Sequence, residues 1–499
     1  MIPSLVAGEV RRALVDYLAT TFDLADDDVR EALAEFLTDP DTGIFRGPYL
    51  RVRTPFRSVE AGWTSPLGWL PEWFTPYQHQ AAAFERLSTL GGRTPEPTLV
   101  TTGTGSGKTE CFLMPILDHC ARQRDAGVAG IKAIILYPMN ALASDQAGRL
   151  AELIHTERRL AGIRAGIYVG DNGSHAQMGA DHLVDDRHVL RDDPPDILLT
   201  NYKMLDFLLL RREDHPLWAT TGPDSLRYVV LDEFHTYDGA QGTDVAMLLR
   251  RLGATLGLAQ PGAPLGPAAP VATSATLGSD TAALRDLREF AGKVFGVDFD
   301  EDSVIGERRQ TIDEACLPVD ASLPLPSPFT VVELDADDVD ALAAAFCRRS
   351  DDEPLLSGPV ELGERLLAHR LTHAVLNAAG DRPRPMAQAA ADVAAMAPGW
   401  AEVHAERPEV VTEALTRFLA LLSIARRPVG GRERPLFSID AQLWIREVTR
   451  LLRAVQHEPR FSWLDSPSGG APSGGLGHPQ GPGEETTDDE TTSDEPRSA

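Results

Sequence analysis

The chain has 499 residues, 43% of them hydrophobic, enough to build two or three domains with proper cores. A formal net charge of -27 excludes a protein that grips nucleic acid through a global basic surface, although a local groove can still bind phosphates through backbone N–H groups and a few side chains. Four cysteines with no CxxC pair argue against a zinc knuckle, and no apolar run is long enough for a bilayer. With no secretion signal after Met1-Ile2-Pro3-Ser4, a cytoplasmic protein without a membrane partner is expected.

In chain order, residues 1–72 read as an accessory region. Helical periodicity runs from Leu5 to Leu37, with Val6, Val10, Leu14 and Leu18 on one face. Residues 73–297 alternate short apolar strands with helices. The strands fall at Thr98–Thr101, Ala133–Tyr137, Gly166–Val169, Asp196–Thr200, Tyr228–Leu231 and Pro270–Thr273. Continuous apolar strands separated by helices predict a parallel sheet covered on both faces, a doubly wound α/β domain. Residues 298–360 form a Pro-rich connector, expected to be irregular or extended. Residues 361–464 carry mostly helical periodicity, including Leu443, Trp444, Val448, Leu451 and Leu452, with Trp444 expected in a core. Residues 465–499 are Ser, Gly, Pro, Thr and acids, a tail expected to be disordered and solubilising.

Three strand ends carry chemistry. After Thr98–Thr101 comes Thr102-Gly103-Thr104-Gly105-Ser106-Gly107-Lys108-Thr109, followed by a helix expected over 111–120. Glycines there let backbone N–H groups curl around phosphate oxygens, and the helix N-terminus adds partial positive charge. Lys108 is placed for the β- and γ-phosphates and Thr109 for Mg2+. After Tyr228–Leu231 comes Asp232-Glu233-Phe234-His235, in which Asp232 can hold Mg2+ and Glu233 can orient and deprotonate an attacking water. Thr273-Ser274-Ala275-Thr276 ends a third strand, and gains meaning only from its order after the other two.

Phosphate loop, DExH and Ser-Ala-Thr in this order resemble motifs I, II and III of the superfamily-two DExH/DEAD-box helicases, over Phe74 to about Arg308. The resemblance implies a RecA-like ATP-binding lobe with helical N- and C-terminal accessory regions, using ATP and Mg2+. Tyr77-Gln78-His79-Gln80 looks like the adenine-reading element, making Gln80 the adenine contact beside the loop residues Gly103 to Thr109. Pro138 and Asn140, then Gly170, then Thr200 and Asn201 sit in segments similar to the turns that face nucleic acid. Lys108, Asp232, Glu233 and His235 would carry catalysis, with His235, Ser274 and Thr276 coupling nucleotide state to the strand. A narrower similarity, in Gly103–Glu110, Asp232–Arg251 and Leu443–Glu447, is to large bacterial DExH helicases of DNA repair and phage defence, so DNA, single- or double-stranded, is the favoured partner.

A complete motor of this type needs a second lobe with a Gln-Arg-x-Gly-Arg-x-Gly-Arg loop, and none is found after Thr276. The nearest basic glycine stretch, Arg426 to Arg432, lacks the spacing and reads as a loop. The expectation is a second lobe on a separate polypeptide. The alternatives are a truncated gene, or a nucleotide-gated protein-interaction module that binds ATP without unwinding. His369 and His373 stand at i,i+4 on an expected helix, but without a Glu base or third ligand they do not make a metal site.

Overall fold

The computed structural model describes residues 3–21, 26–39, 42–103, 105–170, 173–275, 281–350, 352, 354, 356–380, 382–429, 432–454 and 460–464. The expected acidic tail, Thr104 and Thr276 lie outside them. The chain divides into two compact units, one formed by residues 51–440 and the other by residues 1–50 with 441–499.

The larger unit is built on seven strands: β1 (Thr98–Thr101), β2 (Ala133–Tyr137), β3 (Ala165–Tyr168), β4 (Ile197–Asn201), β5 (Tyr228–Leu231), β6 (Ala269–Ser274) and β7 (Val304–Gly306). Their order across the sheet is β3-β4-β2-β5-β6-β1-β7, and every pairing is parallel. The longer helices that accompany the strands are α1 (Gln78–Leu87), α2 (Lys108–Asp125), α3 (Asn140–Thr156), α4 (Tyr202–Leu210), α5 (Gly239–Thr255) and α6 (Thr281–Phe295). Strands such as Ile134-Ile135-Leu136 and Tyr228-Val229-Val230-Leu231 are buried throughout, because helices cover both faces of the sheet. Alternate side chains therefore feed two separate cores. Ile134, Leu136, Val229 and Leu231 join Leu205, Leu248 and Phe295, while Ile135, Val230 and Val271 join Phe112, Ile116 and Leu150.

β7 is the strand the sequence did not reveal. It pairs with β1 over Leu99↔Val304 to Thr101↔Gly306, so it lies against the strand that feeds the glycine-rich loop. The stretch expected to be irregular also holds helices at Ile312–Ala315, Pro328–Glu333 and Val339–Cys347; each is nine residues or fewer, too short for periodicity to register. Further helices follow between Pro359 and Ile424, the longest being Pro408–Ile424. The basic glycine stretch read as a loop is a hairpin, Arg426–Val429 paired with Arg432–Pro435.

The smaller unit contains helices Pro3–Thr21 and Asp27–Thr38 and an antiparallel pair, Leu451–Arg453 with Phe461–Trp463. Leu18, Leu33, Leu37, Ile44, Phe45 and Trp463 form its core. Here one expectation is corrected. Ser438–Ile445 is a strand rather than a helix, and Trp444 is 65% exposed rather than a core residue. The run mixes Ile and Trp, both at home on a pleated surface, with spacings that fit either period over so few residues.

Candidate nucleotide site and strand groove

Three adjacent strands, β5, β6 and β1, bring their C-terminal ends together, where a parallel α/β sheet places its ligands. β1 leads into the glycine-rich loop, and α2 begins at Lys108. Gly105 and Gly107 have φ of 76° and 75°, a backbone region that a side chain strains. At Gly107 a Cβ would also collide with Nε2 of Gln80. The loop is braced from within and behind. The Thr102 and Ser106 hydroxyls share a buried hydrogen bond of 2.7 Å. The Ser106 carbonyl accepts from Nε2 of His79 at 2.9 Å, and because a carbonyl can only accept, that nitrogen carries the proton. Burial holds the His79 pKa below its ordinary value, against the pull of the Ser106 carbonyl and Glu307.

Gln80 is buried, and its amide spans two groups. Nε2 donates to the Gly107 carbonyl at 3.2 Å, and Oε1 accepts from the Tyr77 backbone N–H at 2.8 Å. The proposed adenine contact is thus also a strut between the start of α1 and the phosphate loop, and one amide proton remains for a ligand.

Asp232 and Glu233 leave β5 facing this loop. Lys108 Nζ lies 3.3 Å from Glu233 Oε1. Glu233 has φ 49°, the one non-glycine residue with positive φ among those described. That strained turn lets consecutive carboxylates face one site. Thr273 at the end of β6 organises both: its hydroxyl donates to Asp232 and accepts the Glu233 N–H at 3.1 Å. Burial raises the Asp232 pKa, with Glu233 adding to the rise and Thr273 and Lys108 opposing it. A part-buried carboxylate with one oxygen on Thr273, beside a phosphate loop, suits a hard divalent cation, and Asp232 with Thr109 are the residues that would hold Mg2+. His235 is half exposed, with Nδ1 3.5 Å from Glu233 Oε2. Ser274 is buried, and its hydroxyl has no hydrogen-bond partner among the described residues.

Sequence reasoning missed two residues here. Thr273 stood within the quoted Thr-Ser-Ala-Thr run, but only the strand register turns its hydroxyl toward Asp232. Glu307, just past β7, accepts the Gly103 N–H at 3.0 Å across 204 positions of sequence. Burial alone would raise the Glu307 pKa, but hydrogen bonds from Arg309 and Gly103 outweigh it and hold the carboxyl below its ordinary value.

The other half of the sheet edge, at β2, β3 and β4, forms a cavity of about 380 Å³ lined by Pro138, Asn140, Gly170 and Asn201, with Lys203, Phe207 and Gln241 beside them. Asn201 Nδ2 donates to Asn140 Oδ1 at 2.7 Å, and Asn201 Oδ1 caps α4 by accepting the Met204 N–H. Thr200 departs from expectation. It is fully buried and its hydroxyl donates to the Tyr168 carbonyl at 2.6 Å, so it ties β3 to β4 instead of facing the groove. His369 and His373 spend Nε2 on the backbone carbonyls of Pro324 and Leu317. Among the described residues no cluster of His, Cys, Asp or Glu is arranged to hold a metal.

With this geometry in place, residues 77–284 match the DEAD/DEAH box helicase family model. Among curated proteins, the chain is 28% identical over 318 aligned residues to the Druantia protein DruE of Escherichia coli (strain UMEA 4076-1), covering 44% of this chain and 17% of that protein. It is 31% identical over 179 residues to the uncharacterized ATP-dependent helicase YprA of Bacillus subtilis (strain 168), covering 35% of this chain and 20% of that one. Among solved structures, the DUF1998 helicase MrfA bound to DNA is similar with a TM-score of 0.36 and 24% identity, over 52% of this chain and 30% of that one. The chain thus spans 17–20% of the length of these two curated relatives.

Proposed function

We propose that this chain is the ATP-binding lobe of a DNA helicase or translocase, which hydrolyses ATP with Mg2+ to move along or unwind a strand. The observation that carries the reading is the meeting of Lys108, Asp232, Glu233 and Thr273 at strand ends next to the Asn140–Asn201 cavity. Lys108 binds the phosphates, and loop N–H groups cradle them. Glu233 orients the attacking water and takes its proton for an in-line displacement. Mg2+, held by Thr109 and Asp232, would neutralise charge on the transferring phosphoryl group. Asn140, Gly170 and Asn201 hold the strand backbone, with polar groups rather than a strongly basic surface.

His235 and Glu233 keep 47% and 29% of their side chains exposed, an open face suited to closure by a second lobe on a separate polypeptide. An arginine brought by such a lobe is worth about 10³- to 10⁵-fold in rate. The test is ATP hydrolysis by the purified chain with and without single-stranded DNA, and with Glu233→Gln. DNA-stimulated turnover that Glu233→Gln abolishes is expected once the second lobe is present, and slow turnover without it. The net charge of -27 favours a second reading, a nucleotide-gated interaction module. ATP binding without salt-sensitive binding to any strand would select it.

A further inference from the structure

The hairpin Arg426–Val429/Arg432–Pro435 places Arg427 directly opposite Arg434. Like charges facing each other across a ladder are destabilising. No carboxylate among the described residues pairs with either. Arg427 reaches Gln310 Oε1 at 3.5 Å, and Arg434 donates to the Tyr77 hydroxyl at 2.8 Å. Glu433, next in sequence, lies on the opposite face of its strand. Arg427 is part-buried, and its Nε has no partner among the described residues. In a chain with 74 acidic residues against 47 basic ones, two adjacent arginines left without a counter-charge need an explanation.

Their position supplies it. Tyr77, which holds Arg434, is tied to the phosphate loop twice. Its N–H bonds the Gln80 amide that reaches Gly107, and its ring stacks at 5.6 Å on His79, which reaches Ser106. Phe56 packs 5.2 Å from Tyr77, with the Arg309 guanidinium 3.9 Å from its ring centre. Lys108, 3.3 Å from Glu233, marks the reacting end of the same loop.

We propose that Arg427 and Arg434 form an anion jaw for the α-phosphate end of the bound nucleoside triphosphate, the end not held by Lys108. An anion between them removes the like-charge repulsion and satisfies the planar guanidinium forks, which match phosphate oxygens two at a time. The C-terminal hairpin thereby belongs to the nucleotide site of the helicase domain. The assignment rests on the nucleotide reading given above.

Equilibrium binding of ATP and ADP to the full chain, with thermal melting of each variant, tests it. Arg434→Ala weakens both nucleotides about tenfold, the loss of one charge-assisted contact. Arg434→Glu separates binding from structure. It places a carboxylate opposite Arg427, so the melting temperature holds or rises while ATP affinity falls more than tenfold. Arg434→Lys recovers part of the loss. Wild-type affinity in Arg434→Glu, or a loss of ATP binding that only accompanies early melting, overturns the jaw. If wild type binds ATP and Lys108→Ala alone abolishes it, the jaw falls and the nucleotide site stands. If wild type binds no nucleotide, both fall.

Discussion

Replacing Thr273 by Val keeps the shape of the side chain and removes one hydroxyl. That hydroxyl donates to Asp232 and accepts the Glu233 N–H. A hydrogen bond to a carboxylate contributes about 1.5–3 kcal/mol and a neutral one about 1 kcal/mol, so the variant loses about 2–4 kcal/mol. The charge consequence has a definite sign. Burial and Glu233 already raise the Asp232 pKa, and Thr273 opposes them, so its loss raises the pKa further. A carboxyl raised above its unfolded value contributes stability that is complete at low pH and lost as pH climbs through the folded value. Thr273→Val therefore costs about 1 kcal/mol in acid, where Asp232 is protonated and the bond from the Glu233 N–H is the main loss, and progressively more as pH climbs through the folded Asp232 value, which lies above the ordinary 3.8. On the proposed mechanism activity needs the ionised Asp232, so the acid limb of the ATPase profile is expected to move to higher pH. Turnover at neutral pH falls about 10²-fold through misplacement of the two carboxylates. Urea unfolding across pH and an ATPase pH profile measure both effects. An unmoved acid limb, with only a uniform drop in stability, refutes the positioning role of Thr273.

Other substitutions separate phosphate loop, groove and scaffold. Gly107→Ala forces a side chain onto Gln80 at φ 75°, with strain of about 1–2 kcal/mol, and calorimetric titration should find ATP binding lost. Lys132→Met leaves Asp196 without the ion pair now made at 2.7 Å in near-complete burial. The urea midpoint should fall by the equivalent of about 3–5 kcal/mol while the folded fraction keeps its ATP affinity. Asn201→Ala removes the cap of α4 and the bond to Asn140, costing about 1 kcal/mol. Fluorescence anisotropy should register weaker single-stranded DNA binding with ATP affinity intact, and equal loss of both would contradict a separate groove.

The sequence exposed the sheet because its strands are apolar on both faces and end in residues whose chemistry is local: Lys108 after glycines, Asp232 and Glu233 after Leu231. It did not expose what depends on register or long closure. The contact of Glu307 with Gly103 exists only because the three residues of β7 pair with β1, and three residues carry no readable period. Thr200 looked like a groove residue by sequence neighbourhood, but strand alternation turns it inward while Asn201 faces out. The helical reading of Leu443 to Leu452 failed where a short mixed run fits either period and neighbouring chain decides. Arg427 and Arg434 acquire meaning only when a hairpin puts them side by side.

The order of the strands also limits how far a signal must travel. β5 lies beside β2, and the Asp232 N–H donates to the Leu136 carbonyl at 2.9 Å, two residues before Pro138. The carboxylate proposed to meet the nucleotide and the turn proposed to meet the strand are thus next-door neighbours joined through one peptide hydrogen bond. On that reading, a shift of β5 by a fraction of the roughly 4.8 Å strand spacing reaches Asn140 through one hydrogen bond and the short stretch of chain from Leu136. If nucleotide and strand bind as proposed, fuel and track share a single seam, and a residue that stiffens or loosens that seam would set how tightly a stroke is geared to each ATP.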